Sequence, residues 1–185
     1  NMLCPYQYIL RPPLGMENEE RRLEGLLAML YFYRMVETDQ ESAEKFGAWT
    51  LNTLEGAYRS EEVLLYGIDR DSRYISLEVG GDEVYISSAY ADKFGIGPGD
   101  TVTLKEPYED TQYSFTVAGV YEYNGALALF MGREYLNKTF DLDGDYFGGY
   151  FSDTEIHDID SEYIGSVIDL DALTKIFHQF SAFVP

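Results

Sequence analysis

The chain has 185 residues, 33 of them acidic and 13 basic, for a formal net charge of −20. Such a surface repels phosphate backbones and anionic lipid headgroups, so binding to nucleic acid or to an acidic membrane is excluded as a first reading. With 45% hydrophobic residues, 17 Tyr and 11 Phe, the chain has enough apolar area for a core and is not of the disordered class.

A single cysteine, Cys4, rules out an internal disulfide. No stretch approaches the about 18 apolar residues of a membrane-spanning helix. No basic segment leads into an apolar one near the first residues, so they do not read as a signal peptide. They look like an arbitrary start, and a protein working outside the cell would need something further to carry it there.

Prolines 5, 12 and 13 make the lead-in extended, with a strand expected at 6–10. A helix is expected over 16–36. Leu23, Leu26, Leu27, Leu30 and Tyr31 form one apolar stripe that should pack on a sheet, and Glu17, Glu19 and Glu20 suit its first turn. Segment 43–54, with Phe46, Trp49 and Leu51, reads equally as strand or short helix. Strands are expected at 62–68 and 74–79, followed by a turn at Gly80-Gly81-Asp82.

The stretch 83–121 is the most informative. A short strand at 84–86 leads to a helix at 89–94 capped by Ser87 or Ser88. Gly95 sits where a left-handed residue ends a helix. Gly97-Pro98-Gly99-Asp100 forces a tight reversal, with Asp100 accepting hydrogen bonds from its own turn. Strands at 101–104 and 113–120 complete a compact antiparallel unit, the second carrying Phe115, Val117 and Gly119. Beyond it come a strand at 126–131, a helix at 133–140, an acidic loop at 141–145, strands at 147–151 and 164–168, and a final helix at 172–180. No repeat or low-complexity tract is present.

The ordered series Val84-Tyr85-Ile86-Ser87, Ala91-Asp92-Lys93-Phe94-Gly95-Ile96, Gly99-Asp100-Thr101-Val102-Thr103-Leu104 and Phe115-Thr116-Val117-Ala118-Gly119-Val120-Tyr121 resembles the extracytoplasmic domain of FtsX-like and MacB-like bacterial ABC-transporter permeases. Leu129-Phe130-Met131 is similar to that family's next strand. The resemblance implies an α+β fold, a mostly antiparallel sheet or small β-barrel at about 60–125 with a helix-and-strand layer from the two chain ends, within one domain spanning 1–185. It implies transmembrane helices of the same permease on both sides, an ABC ATPase as partner, a place on the outer face of the bacterial membrane, and an extracytoplasmic protein or peptide as possible ligand. Gly95, Gly99, Asp100, Phe115, Val117 and Gly119 are its motif residues, with structural rather than catalytic roles.

Sites of other chemistry are weak. Asp141, Asp143 and Asp145 open like a calcium loop, but an EF-hand needs Gly and Glu where Tyr146 and Ser152 stand, so a solvated acidic turn is the reading and no metal is expected. His157 and His178 are the only histidines, and nothing in their spacing joins them to Cys4 as zinc ligands. No nucleophile elbow and no phosphate loop is present, so no cofactor is expected and the domain reads as non-catalytic. The aromatic strands and segment 125–132 could offer a binding face, but core packing is the expectation. A secreted or surface-anchored protein binding a cationic peptide or other small ligand is the alternative function. Phe94-Gly95-Ile96 with Gly99-Asp100-Thr101-Val102 also resembles swapped-hairpin transcription regulators, against which the charge argues. A hydrolase ranks last.

Overall fold

A computed structural model describes residues 6–12 and 22–169. They form strands β1 (Tyr6–Leu10), β2 (Glu44–Thr53), β3 (Glu62–Ile68), β4 (Val84–Ser87), β5 (Thr101–Lys105), β6 (Gln112–Tyr121), β7 (Ala128–Gly132), β8 (Gly149–Ser152) and β9 (Ile164–Asp169). Helices α1 (Arg22–Met35), α2 (Ser88–Phe94) and α3 (Arg133–Thr139) accompany them. The fold is α+β, as expected, in two units: Phe46–Phe147, and Met2–Lys45 with Gly148–Pro185. The expected helix at 172–180 lies outside the described residues, as do 16–21.

The first unit is a closed six-stranded barrel. Its strands follow the order β3, β7, β4, β6, β5, β2, and β2 pairs with β3 to close the ring. The pairs β3–β7 and β4–β6 are parallel and the other four antiparallel. The unit 84–121 is therefore not the wholly antiparallel element read from the sequence. The α2 connection and β5 carry the chain round so that β4 and β6 run side by side in the same direction. The interior is filled by Leu51, Val63, Leu65, Ile86, Leu104 and Met131, each fully buried, as a barrel of this width requires. On β3 and β7, Tyr66 stacks on Phe130 at 4.9 Å, and within segment 125–132 residues 128–131 are buried.

Two glycines seat α3 on the barrel. Gly47 and Gly67 face each other across β2 and β3. A Cβ on Gly67 would lie 3.0 Å from Arg133 Cα, and one on Gly47 would lie 3.2 Å from Leu136 Cδ2. Only strands without side chains at these two points let the helix backbone come so close.

Closure also explains a correction. Residues 74–79 alternate as a strand should, and Tyr74, Ile75 and Val79 are buried. Yet the segment pairs with no strand. The two edges of β3 and of β4 are already taken, so no edge is free for it. Its backbone is instead turned by Ser72 Oγ, which accepts from Tyr74 N and Ile75 N.

In the second unit, β1 runs between β8 and β9, antiparallel to each. Its residues Gln7 and Tyr8, with Tyr150, Phe151 and Ser152 of β8, are buried. The helix α1 lies elsewhere than its apolar stripe suggested. Leu27, Leu30 and Tyr31 are 59%, 59% and 58% exposed, whereas Phe32 and Val36 are buried. Phe32 packs on Tyr163 at 6.0 Å, and Tyr150 Oη donates to Val36 O. Residues 30 and 32 are about 200° apart on a helix, so the helix has two apolar faces, and the one carrying Phe32 takes the interior. The side chains of Leu23 and Leu26 lie outside the described set.

Two substitutions test these statements by chemical denaturation. Gly67→Ala puts a methyl against helix backbone that cannot rotate away and should cost about 1–3 kcal/mol. Phe32→Ala should cost about 3–5 kcal/mol, and Leu30→Ser less than about 1 kcal/mol. Equal costs for the last two would place the wrong face of α1 inside.

Candidate functional site

The residues singled out in 83–121 gather around the turn between α2 and β5. Ser87, wholly buried, is the N-cap of α2: its Oγ accepts from Tyr90 N and from Ala128 N and donates to Ala126 O. Ser88 Oγ donates to Asn124 and accepts from Tyr123 N. The two hydroxyls thus fix the start of α2 to the chain entering β7. Gly95 ends the helix at φ 63°, its N–H donating to Ala91 O. Gly99 is at φ 91°, where a side chain would be strained. Asp100 Oδ2 accepts from Gly97 N at 2.9 Å. The turn is stitched to β6 by Gly99 N to Val117 O and Val117 N to Asp100 O, both 2.8 Å. Phe115 and Val117 enter the barrel interior.

Gly119 lies opposite Tyr85, just after a one-residue register slip between β4 and β6. A Cβ there would meet the Tyr85 ring at 2.5 Å. The ring covers the bare backbone of its neighbour, an aromatic–glycine cross-strand pair. In the fold, these six residues turn the chain or pack it.

The acidic loop is a structured turn. Asp141 adopts φ 54°. Asp143 Oδ1 accepts from Asp145 N at 3.0 Å, and buried Asn137 donates to Gly144 O and Tyr146 O. Among the described residues no three His, Cys, Asp or Glu side chains come together as metal ligands would. His157 is 80% exposed and faces Glu155 Oε2 at 3.6 Å. Cys4 and His178 lie outside the described residues.

A cleft of about 380 Å³ opens where α3 begins, lined by Ile68, Asp69, Arg70, Val79, Arg133 and Tyr135. Arg133 Nε donates to Asp69 Oδ1 at 3.1 Å, while its Nη1 is buried without a hydrogen-bond partner. Sequence reading missed this cleft. The Gly-bearing ends of β3 and β7 were its only signal. Charges of both signs line it, so it favours neither an anion nor a cation strongly.

Burial pushes the Tyr90 and Tyr146 hydroxyls up to about 12. It also raises Tyr150, helped by the negative charges of Glu37 and Asp158. Asp158 is lowered, chiefly by the hydrogen bonds from Thr38 Oγ1 and from Asp39 N.

No protein-family model matches the chain, and no curated protein does. Solved structures do. One is the extracellular domain of the noncanonic ABC-type transporter YknZ from Gram-positive bacteria, 16% identical, covering 80% of this chain and 83% of that one at a TM-score of 0.42. Another is the periplasmic region of MacB from Actinobacillus actinomycetemcomitans, 12% identical, covering 96% and 94% at a TM-score of 0.43. Among the described residues, no helix is long and apolar enough to cross a membrane.

Two outcomes are expected. Gly119→Ala should destabilise the fold by about 1–3 kcal/mol, and this cost should largely vanish in a Tyr85→Ala background, since the clash is with that ring alone; a thermodynamic cycle reads the coupling. The tyrosines set the alkaline limb. A raised folded value means the unfolded chain loses its protons first. Stability is then full below about pH 10 and falls as pH rises through about 12, each group adding a slope of at most about 1.4 kcal/mol per pH unit. Tyr90→Phe should flatten that limb in pH-dependent denaturation.

Proposed function

We propose that this chain is an extracytoplasmic domain of a bacterial ABC-transporter permease, serving partner interaction and coupling and performing no catalysis itself. ATP hydrolysis would belong to a separate ABC ATPase subunit or domain. The observation that carries the reading is the pairing of β1 with β9. Tyr6 lies opposite Asp169, and the strands are antiparallel, so the chain enters and leaves the described unit side by side at one end of a sheet. A domain spliced between two membrane helices needs two such neighbouring connections. The ordered motif series over 83–121 supports the same reading, each residue having a defined role in the barrel. The net charge of −20 favours a domain held off an anionic bilayer.

The test is topological. The complete gene is expressed in bacteria with Cys4→Ser and Tyr108→Cys, Tyr108 being 99% exposed, and intact cells are treated with a membrane-impermeant maleimide. The protein should sediment with membranes after a carbonate wash, and position 108 should label without lysis. Labelling only after lysis overturns the extracytoplasmic placement. A labelled protein released freely into the medium overturns the permease reading in favour of a secreted binding protein.

A further inference from the structure

The tip of the β5–β6 hairpin, with the aromatic rings at its base, forms a patch that the barrel does not use. Tyr108 at the tip is 99% exposed. A tyrosine with no packing partner at a hairpin tip contributes nothing to the fold it sits on and leaves its whole ring available. Beneath it, Trp49 stacks on Phe140 at 5.1 Å with an interplanar angle of 18°, and Tyr113 meets the same Phe140 edge-on at 4.8 Å. Trp49 and Tyr113 are only partly buried where they pack against the barrel core, so they form a shelf at its edge. Trp49 Nε1 donates to Glu106 Oε1 at 3.4 Å, which ties the hairpin to the shelf.

The rim is acidic on both sides. Glu106, Glu109 and Asp110 belong to the hairpin, and Asp141, Asp143 and Asp145 follow directly on Phe140. The three aspartates, Glu109 and Asp110 are exposed. Tyr113 feels this field: its hydroxyl is raised by burial and then by Glu106 and Glu109. The nearest basic residues in sequence are Lys105 and Lys138, too few to offset it.

Aromatic faces edged by carboxylates are complementary to guanidinium and ammonium groups on flexible apolar stems, through cation–π contact and charge pairing together. We infer that the Trp49–Tyr108–Tyr113 patch is a docking surface for an arginine- or lysine-rich segment of a partner protein. Anionic lipid and nucleic acid are repelled by the same rim. The inference stands on the barrel alone and is independent of where the protein resides.

Trp49 is the only tryptophan, which makes the patch its own reporter. The 185-residue chain is titrated with octa-arginine, with octa-glutamate as control, at about 0.15 M salt, and Trp49 emission is followed. A saturable change that weakens with added salt is expected for octa-arginine only. Glu109→Lys with Asp110→Lys should raise the half-saturation point roughly tenfold or more, and Tyr108→Ser about fivefold or more. Asp82→Lys with Asp92→Lys makes the same change in net charge at exposed positions elsewhere and should alter it less than about threefold. All the substituted side chains are exposed, and thermal unfolding of each variant controls for folding. The proposal is overturned by unchanged Trp49 emission, by a Tyr108→Ser chain that binds as the parent does, or by a distant charge pair that weakens binding as much as the hairpin pair.

Discussion

The barrel depends on one placement: β7 lies between β3 and β4. Without it β3 and β4 would each expose an open edge, and the ring from β3 round to β2 would be a curled sheet. Insertion of β7 pairs with both strands at once, parallel to β3 and antiparallel to β4, so that neither is left as an edge strand. Its position is held from the side as well, because the buried Ser87 hydroxyl takes the Ala128 N–H at the first residue of β7 while capping α2. One side chain thus couples the start of a helix to the closure of a barrel. An unsatisfied hydroxyl or amide at that depth would be costly, so the three hydrogen bonds are made together.

The same closure orders what lies outside the ring. The alternating segment 74–79 finds no partner strand and becomes a buried but irregular connection. Helix α3 has to lie over β2 and β3, and it does so on the bare backbone of Gly47 and Gly67. The aromatic residues divide in a corresponding way. Tyr66 and Phe130 on β3 and β7 stack on the face opposite the barrel interior, buried among Phe46, Tyr121 and Tyr123, whereas Trp49 and Tyr113 remain at the mouth with Phe140.

Much of this was legible in the residues. Strand 62–68, the capped helix ended by Gly95, the Gly99-Asp100 turn and the alternation of Phe115 and Val117 all rest on local rules, and local rules can be read from a sequence. What was not legible depends on partners distant along the chain. Nothing in 64–68 announces a parallel pairing with 128–132. Segment 74–79 reads as a strand from its alternation, but whether an alternating segment is a strand depends on a free edge somewhere else. For α1, Leu27, Leu30 and Tyr31 made a good stripe, and Phe32 and Val36 made another; periodicity could not rank them. Gly47 and Gly67 did carry a signal, since a glycine inside an apolar strand marks a close approach, but only their pairing across two strands shows what approaches. At Asp141, Asp143 and Asp145 the chain makes an acidic turn held by the Asp143 and Asn137 side chains, the second of which lies outside the loop and was not legible in its spacing.

The antiparallel pairing of β1 with β9 has a mechanical consequence. Its hydrogen bonds run across the strands. Spreading the two strand ends apart sideways would load Tyr6–Asp169 first and then each following rung in turn, as a zipper opens. Drawing both ends together along the strand direction would instead move β1 and β9 as a pair and load the β1–β8 rungs in shear all at once. Such a unit yields to lateral separation of its two connections and resists a common axial pull, so the direction of a displacement decides whether it is absorbed in the ladder or passed on.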